Sequence, residues 1–124
     1  FTYLPTAKDM ADTAALIGPE VGVNFDICNS AFIKEDPAAA IRMLGPLVRN
    51  VHISDSGPDV FKHDRLGTGI VDPGPSAKAL EEIGYAGVMV LEIITDALQP
   101  GADPDGDIRA SHAILAQHGW KALG

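Results

Sequence analysis

The chain reads as an α/β fold in which about three parallel strands alternate with helices. Three observations predict this. Apolar residues alternate with a period of two in three short runs, 21–26, 50–54 and 88–93, as they do along half-buried strands. Each run is followed by a stretch that opens and closes with helix-capping residues. Strand followed by helix, repeated, means parallel pairing through right-handed crossovers. A parallel sheet needs both faces covered or closure into a barrel. Three strands cannot close one, so the chain is expected to be part of a barrel.

The elements follow in order. Residues 6–17 form the first predicted helix, opened by Thr6 or Asp9 and stopped by Gly18-Pro19. In the strand 21–26, Val21, Val23 and Phe25 share one face, and Asp26 lies opposite with Gly22 and Asn24. Asp36-Pro37 opens the second helix, because Asp accepts from unpaired amides and Pro has none to satisfy. That helix carries Ile41, Met43 and Leu44 and ends at Gly45-Pro46. The strand 50–54 sets Val51 and Ile53 opposite His52. Residues 55–74 are the longest irregular stretch, broken by Gly57, Pro58, Gly67, Gly69, Pro73 and Gly74. A helix over about 76–83 ends at Gly84, the place for a left-handed cap. In the strand 88–93, Met89, Leu91 and Ile93 oppose Glu92. A second loop, 95–107, leads into a last helix near 108–118, with Asp107 as its expected N-cap and Gly119 closing it.

At 124 residues the chain can bury one core, not two. It is 46% apolar and 21% charged, the balance of a soluble globular protein. No apolar stretch approaches the ~20 residues that span a bilayer, so no membrane partner is expected. Net charge is −8, and the nine Lys and Arg residues form no cluster, which argues against nucleic acid. The single cysteine, Cys28, cannot form an internal disulfide, which fits a reducing cytoplasm and a buried packing role. The first residue is Phe1 rather than Met, so the chain is expected to be a piece of something longer.

Parity sends Asp26, His52 and Glu92 to the side of the sheet away from the apolar set. A carboxylate, an imidazole and a carboxylate on neighbouring strands make most of a metal site. Burying Glu92 within Val88-Met89-Val90-Leu91-Glu92-Ile93-Ile94 is costly unless the carboxylate is paired or metal-bound. Asp26 could instead bond a turn amide, and His52 could be a hydrogen-bonded core histidine; the residues alone leave both readings open. Asp55 reads as a turn residue or as the partner of a metal ligand. The amides of Gly67-Thr68-Gly69 could approach a phosphate, though a lone G-x-G is not specific. Asp103-Pro104-Asp105-Gly106-Asp107 is similar to a calcium loop, but position twelve is Ile114, so a solvated acidic loop is the better account. Trp120, His112 and His118 read as packing or surface residues.

Four segments resemble, in order, the motifs of the xylose isomerase-like TIM barrels, the sugar phosphate isomerase/epimerase superfamily. They are Val23-Asn24-Phe25-Asp26-Ile27-Cys28-Asn29-Ser30, Val51-His52-Ile53-Ser54-Asp55, Leu66-Gly67-Thr68-Gly69-Ile70-Val71-Asp72, and Gly84-Tyr85-Ala86-Gly87-Val88-Met89-Val90-Leu91-Glu92. The resemblance implies that residues 1–124 are a partial domain, the C-terminal part of a (β/α)8 barrel that usually needs roughly 250 residues.

The resemblance also implies a divalent metal held by a Glu, an Asp, a His and a second Glu. Asp26, His52 and Glu92 match the last three, and the first Glu would precede Phe1. Such a donor set suits Mn²⁺, Mg²⁺ or Co²⁺, with Zn²⁺ within range. The implied reaction is proton transfer beside the carbonyl of a keto sugar or polyol through an enediolate. In it the metal polarises the carbonyl, and Glu92 is one of two carboxylates that remove and return the proton.

Asn29 stands where many members carry a His; it can bond a substrate hydroxyl but cannot shuttle protons. His63 reads as a substrate contact or an exposed loop residue. It resembles a metal-binding His of the endonuclease IV branch, but Phe61 replaces the Asp that completes that site, so the trinuclear zinc arrangement is not implied. A DNA-repair hydrolase of that branch is the alternative enzyme. The non-catalytic alternative is an inactive fragment, or a half barrel that pairs with its own copy to cover its sheet edges.

Overall fold

Three parallel strands lie side by side in chain order, β1 (Val23–Asp26), β2 (Val48–Ile53) and β3 (Met89–Leu91). They come from a computed structural model that describes residues 5–94 and 100–122. The helices are α1 (Ala7–Ile17), α2 (Ile27–Phe32), α3 (Pro37–Leu44), α4 (Pro73–Glu82) and α5 (Pro104–Gln117). This is the expected α/β arrangement, parallel strands joined through helices.

The helix starts are set by caps. The Thr6 hydroxyl accepts from the Asp9 amide at 3.2 Å, and the Thr6 amide donates back to the Asp9 carboxylate at 3.2 Å. Asp36 accepts from the Ala38 and Ala39 amides at 2.9 and 3.2 Å, opening α3. The same Asp-Pro device opens α4, where Asp72 accepts from Gly74, and α5, where Asp103 accepts from Gly106. Both helices therefore start earlier than the sequence suggests. Asp107 is not a cap: it lies in the first turn of α5, and its carboxylate faces the Arg65 guanidinium at 3.6 Å. The strands β1 and β3 are shorter than expected, and β2 starts earlier, at Val48. The helix α2 was not anticipated. Residues 95–99 of the expected second loop fall outside the described residues.

The core lies on one side of the sheet. Phe25, Val51 and Ile53 are fully buried there and pack with Ile41 and Leu44 of α3, Leu80 of α4 and Leu66 of the long loop. Each such side chain contributes about 1.5–3 kcal/mol by leaving water. The helix α3 packs between α1 and α4. An exposed ion pair, Arg42 to Glu82 at 2.6 Å, joins α3 to α4 at the rim and adds little. The opposite side of the sheet is polar and less covered: Asn50 donates to Asn24 at 3.0 Å, and Asp26, His52 and Glu92 are half-buried. Among the described residues no helix is long and apolar enough to cross a membrane.

Candidate metal centre

Register brings the three candidate ligands together. Asp26 pairs with His52 across β1 and β2, and His52 pairs with Val90 across β2 and β3. Glu92 follows Val90 by two residues and so returns to the same face. Its amide donates to the Ile53 carbonyl at 2.9 Å, which carries the ladder past the end of β3. One donor atom from each of Asp26, His52 and Glu92 lies within 4.8 Å of the other two. His52 Nδ1 is 2.8 Å from Glu92 Oε2.

The chemistry of this cluster fits a divalent ion. Ligands about 2.0–2.2 Å from one ion are themselves only a few ångströms apart, and the observed span accommodates that. Two carboxylate oxygens and an imidazole nitrogen are hard to borderline donors. The electrostatics agree. Burial pushes the Asp26 carboxyl up, outweighing the lowering effects of the Asn29 amide and of His63, and the nearby Glu92 charge adds a smaller push upward. A cation among these groups would relieve both effects.

Asp26 also caps α2, its Oδ1 accepting from the Asn29 amide at 3.1 Å. The turn-acceptor reading of Asp26 is thus what the structure shows, on a side chain whose carboxylate also stands in the cluster. Asn29 lies in the first turn of α2, and its Oδ1 is buried with no hydrogen-bond partner among the described residues. His63 comes to the cluster from the long loop. Its Nδ1 is 2.9 Å from Ser54 Oγ and 3.8 Å from Glu92 Oε2. Phe61 stacks edge-on against both His63 and Phe32, an apolar contact in place of the carboxylate that the endonuclease IV pattern requires. Cys28 is fully buried, and burial pushes its thiol up to about 11, so it stays neutral and unreactive.

Sequence reasoning missed the weight carried by Ser54 and Asp55. Asp55 is fully buried, and its carboxylate accepts from five backbone amides. Oδ1 takes Ser56 and Val71, both at 2.9 Å; Oδ2 takes Gly67, Thr68 and Gly69 at 3.0, 3.0 and 2.8 Å. Asp55 is therefore the turn residue of the two readings, on the scale of a whole loop. The same bonds overturn the phosphate reading of Gly67-Thr68-Gly69, because those amides already point at Asp55. Gly67 has φ +85°, and a Cβ on Gly69 would meet the Ser56 carbonyl oxygen at 2.0 Å. No local pattern announces this, since four of the five donors lie 12 to 16 residues downstream.

Comparison with solved structures places the fold. An L-ribulose 3-epimerase superposes with a TM-score of 0.79 at 22% identity, over 94% of this chain and 43% of its own. A D-psicose 3-epimerase crystallised in the presence of D-fructose gives 0.73 at 23% identity, over 94% and 44%. A D-psicose 3-epimerase with D-tagatose from Clostridium cellulolyticum H10 gives 0.73 at 22% identity, again over 94% and 44%. The chain thus spans less than half the length of these proteins and forms part of a barrel. No curated protein matches it in sequence. The sequence profile described as "xylose isomerase-like TIM barrel" matches residues 1–118. This chain belongs to the xylose isomerase-like TIM barrel family.

Proposed function

We propose that the protein containing this chain is a metal-dependent sugar or sugar phosphate isomerase or epimerase, and that residues 1–124 form a partial barrel domain within it. The observation that carries the reading is the cluster of Asp26, His52 and Glu92 donor atoms within 4.8 Å, at the carboxyl ends of three adjacent parallel strands. That end of a barrel sheet is where substrates and catalytic groups gather. The similarity to ketose 3-epimerases sets the proposed substrate class, a keto sugar or related polyol.

In this reading Asp26, His52 and Glu92 hold one divalent ion, which when bound supplies electrophilic polarisation of the substrate carbonyl. Glu92 takes the proton from the carbon beside that carbonyl, leaving an enediolate. Return of the proton to the neighbouring carbon of the enediolate gives the isomer; return to the opposite face of the same carbon gives the epimer. Glu92 Oε2 lies 2.8 Å from His52 Nδ1, so the imidazole and the carboxylate hold each other in place, and His63 stands beside them with its Nδ1 3.8 Å from Glu92 Oε2. Asn29 Oδ1, buried and without a donor, takes a substrate hydroxyl hydrogen bond. His63 contacts the substrate from the loop side.

The test is solvent deuterium incorporation into ketoses by the full-length protein with excess Mn²⁺. Glu92→Gln is expected to lower the rate by about 10²–10⁴-fold, the usual worth of a positioned base. Incorporation at the wild-type rate in Glu92→Gln would remove Glu92 from this role.

A further inference from the structure

We propose that Asp55 is a positioning residue whose buried carboxylate fixes His63 beside Glu92; the proposal rests on the functional reading above. The long connection from β2 to α4 contains no helix or strand, only one bridge between Asp55 and Asp64. A connection of that length has too many conformations to hold one side chain in place unaided. Here both of its halves are tied back to the end of β2. In the far half, the Asp55 carboxylate gathers the amides of Gly67, Thr68, Gly69 and Val71. In the near half, Ser56 Oγ accepts from the Lys62 amide at 3.0 Å, and Asp55 and Asp64 exchange backbone bonds of 2.9 and 2.8 Å.

His63 lies in the near half, between Lys62 and Asp64, four residues before the segment that the Asp55 carboxylate gathers. Its ring meets Ser54, the residue before Asp55, and its carbonyl accepts from the Ile94 amide at 3.0 Å. Ile94 is two residues beyond Glu92, so the strands carrying His52 and Glu92 both grip the histidine. Bonds to a fully buried anion are strong and short-tethered, which makes the loop stiff. A connection needed only for chain continuity has no use for a buried charge. One that presents an imidazole to a reacting centre does, because such groups lose their effect when displaced by an ångström.

The test is a double-mutant cycle between Asp55→Asn and His63→Ala in the full-length protein with Mn²⁺. The amide of Asp55→Asn sets an N–H against backbone donors and loosens the lock. Asp55→Asn is expected to lower kcat for deuterium exchange by about tenfold or more, with Mn²⁺ affinity held within about threefold, and to shift the His63 imidazole NMR signals. In the His63→Ala background the same change is expected to lower kcat by less than about twofold. Equal losses in both backgrounds would mean a merely structural role and overturn the proposal.

If the unmodified protein exchanges no ketose, the functional reading has failed on its own. The His63 signals then decide the present one: shifted in Asp55→Asn supports it, unchanged overturns it. If Asp55→Asn does not fold, native-state hydrogen exchange of the unmodified protein decides. The amides of Gly67, Gly69, Val71 and Asp64 opening in a single step supports the lock, and independent opening overturns it.

Discussion

The two faces of one short sheet do different work. On the helix-covered face Phe25, Val51 and Ile53 are fully buried among aliphatic side chains. On the other face Asn24 bonds Asn50, His52 bonds Glu92, and Asp26 stands beside them, all partly open. A single-residue step along a strand moves from one face to the other, so stability and candidate chemistry sit on alternate residues of the same segments. Phe25 and Asp26 are neighbours with opposite roles.

Three substitutions probe that division, from the largest effect down. Glu92→Gln is expected to lower deuterium exchange by about 10²–10⁴-fold, equal to about 3–5 kcal/mol of transition-state stabilisation, while leaving the urea midpoint of the metal-free protein intact. An unfolded Glu92→Gln would break the division. Phe25→Ala is expected to cost about 3–5 kcal/mol in urea unfolding, through lost burial and the cavity left behind. A loss of metal affinity without a loss of stability in Phe25→Ala would also break it.

The smallest effect sharpens the comparison. Burial raises the Asp26 carboxyl above its ordinary 3.8, so in the metal-free protein folding favours the protonated form. The stability this carboxyl contributes is full below pH 3.8 and is lost as pH rises through the elevated folded value. Asp26→Asn retains an N-cap for α2 and removes the buried charge. In chelator its thermal midpoint is therefore expected to move up relative to wild type as pH rises through that window, and then to hold a constant advantage. No change in the difference with pH would show that the Asp26 charge is not penalised.

Much of this arrangement was legible in the sequence, and the reason is periodicity. Alternation of apolar and polar residues set the faces of all three strands, and from it followed the convergence of Asp26, His52 and Glu92. Capping chemistry was equally legible where it was followed consistently. Asp36-Pro37 reads as a helix start, but in the identical pairs Asp72-Pro73 and Asp103-Pro104 the signal is masked, because Pro73 and Gly74 read as breakers and Asp103–Asp107 as a solvated acidic loop. In the structure all three pairs open helices. The helix α2 escaped because six residues are too few to show a 3.6-residue period. Its signal is Asp26 three residues before Asn29, which predicts a bonded turn amide without showing that a helix follows. Asp55 is legible as a turn residue, but the reach of its carboxylate is not, since four of its partners depend on how the loop folds back.

The account turns on three side chains sharing one ion, and a Mn²⁺ titration of the full-length protein, by calorimetry or electron paramagnetic resonance, tests this most directly. The prediction is one bound ion per chain, with affinity falling by about tenfold or more in each of Asp26→Ala, His52→Ala and Glu92→Ala. Affinity unchanged in all three variants would contradict it.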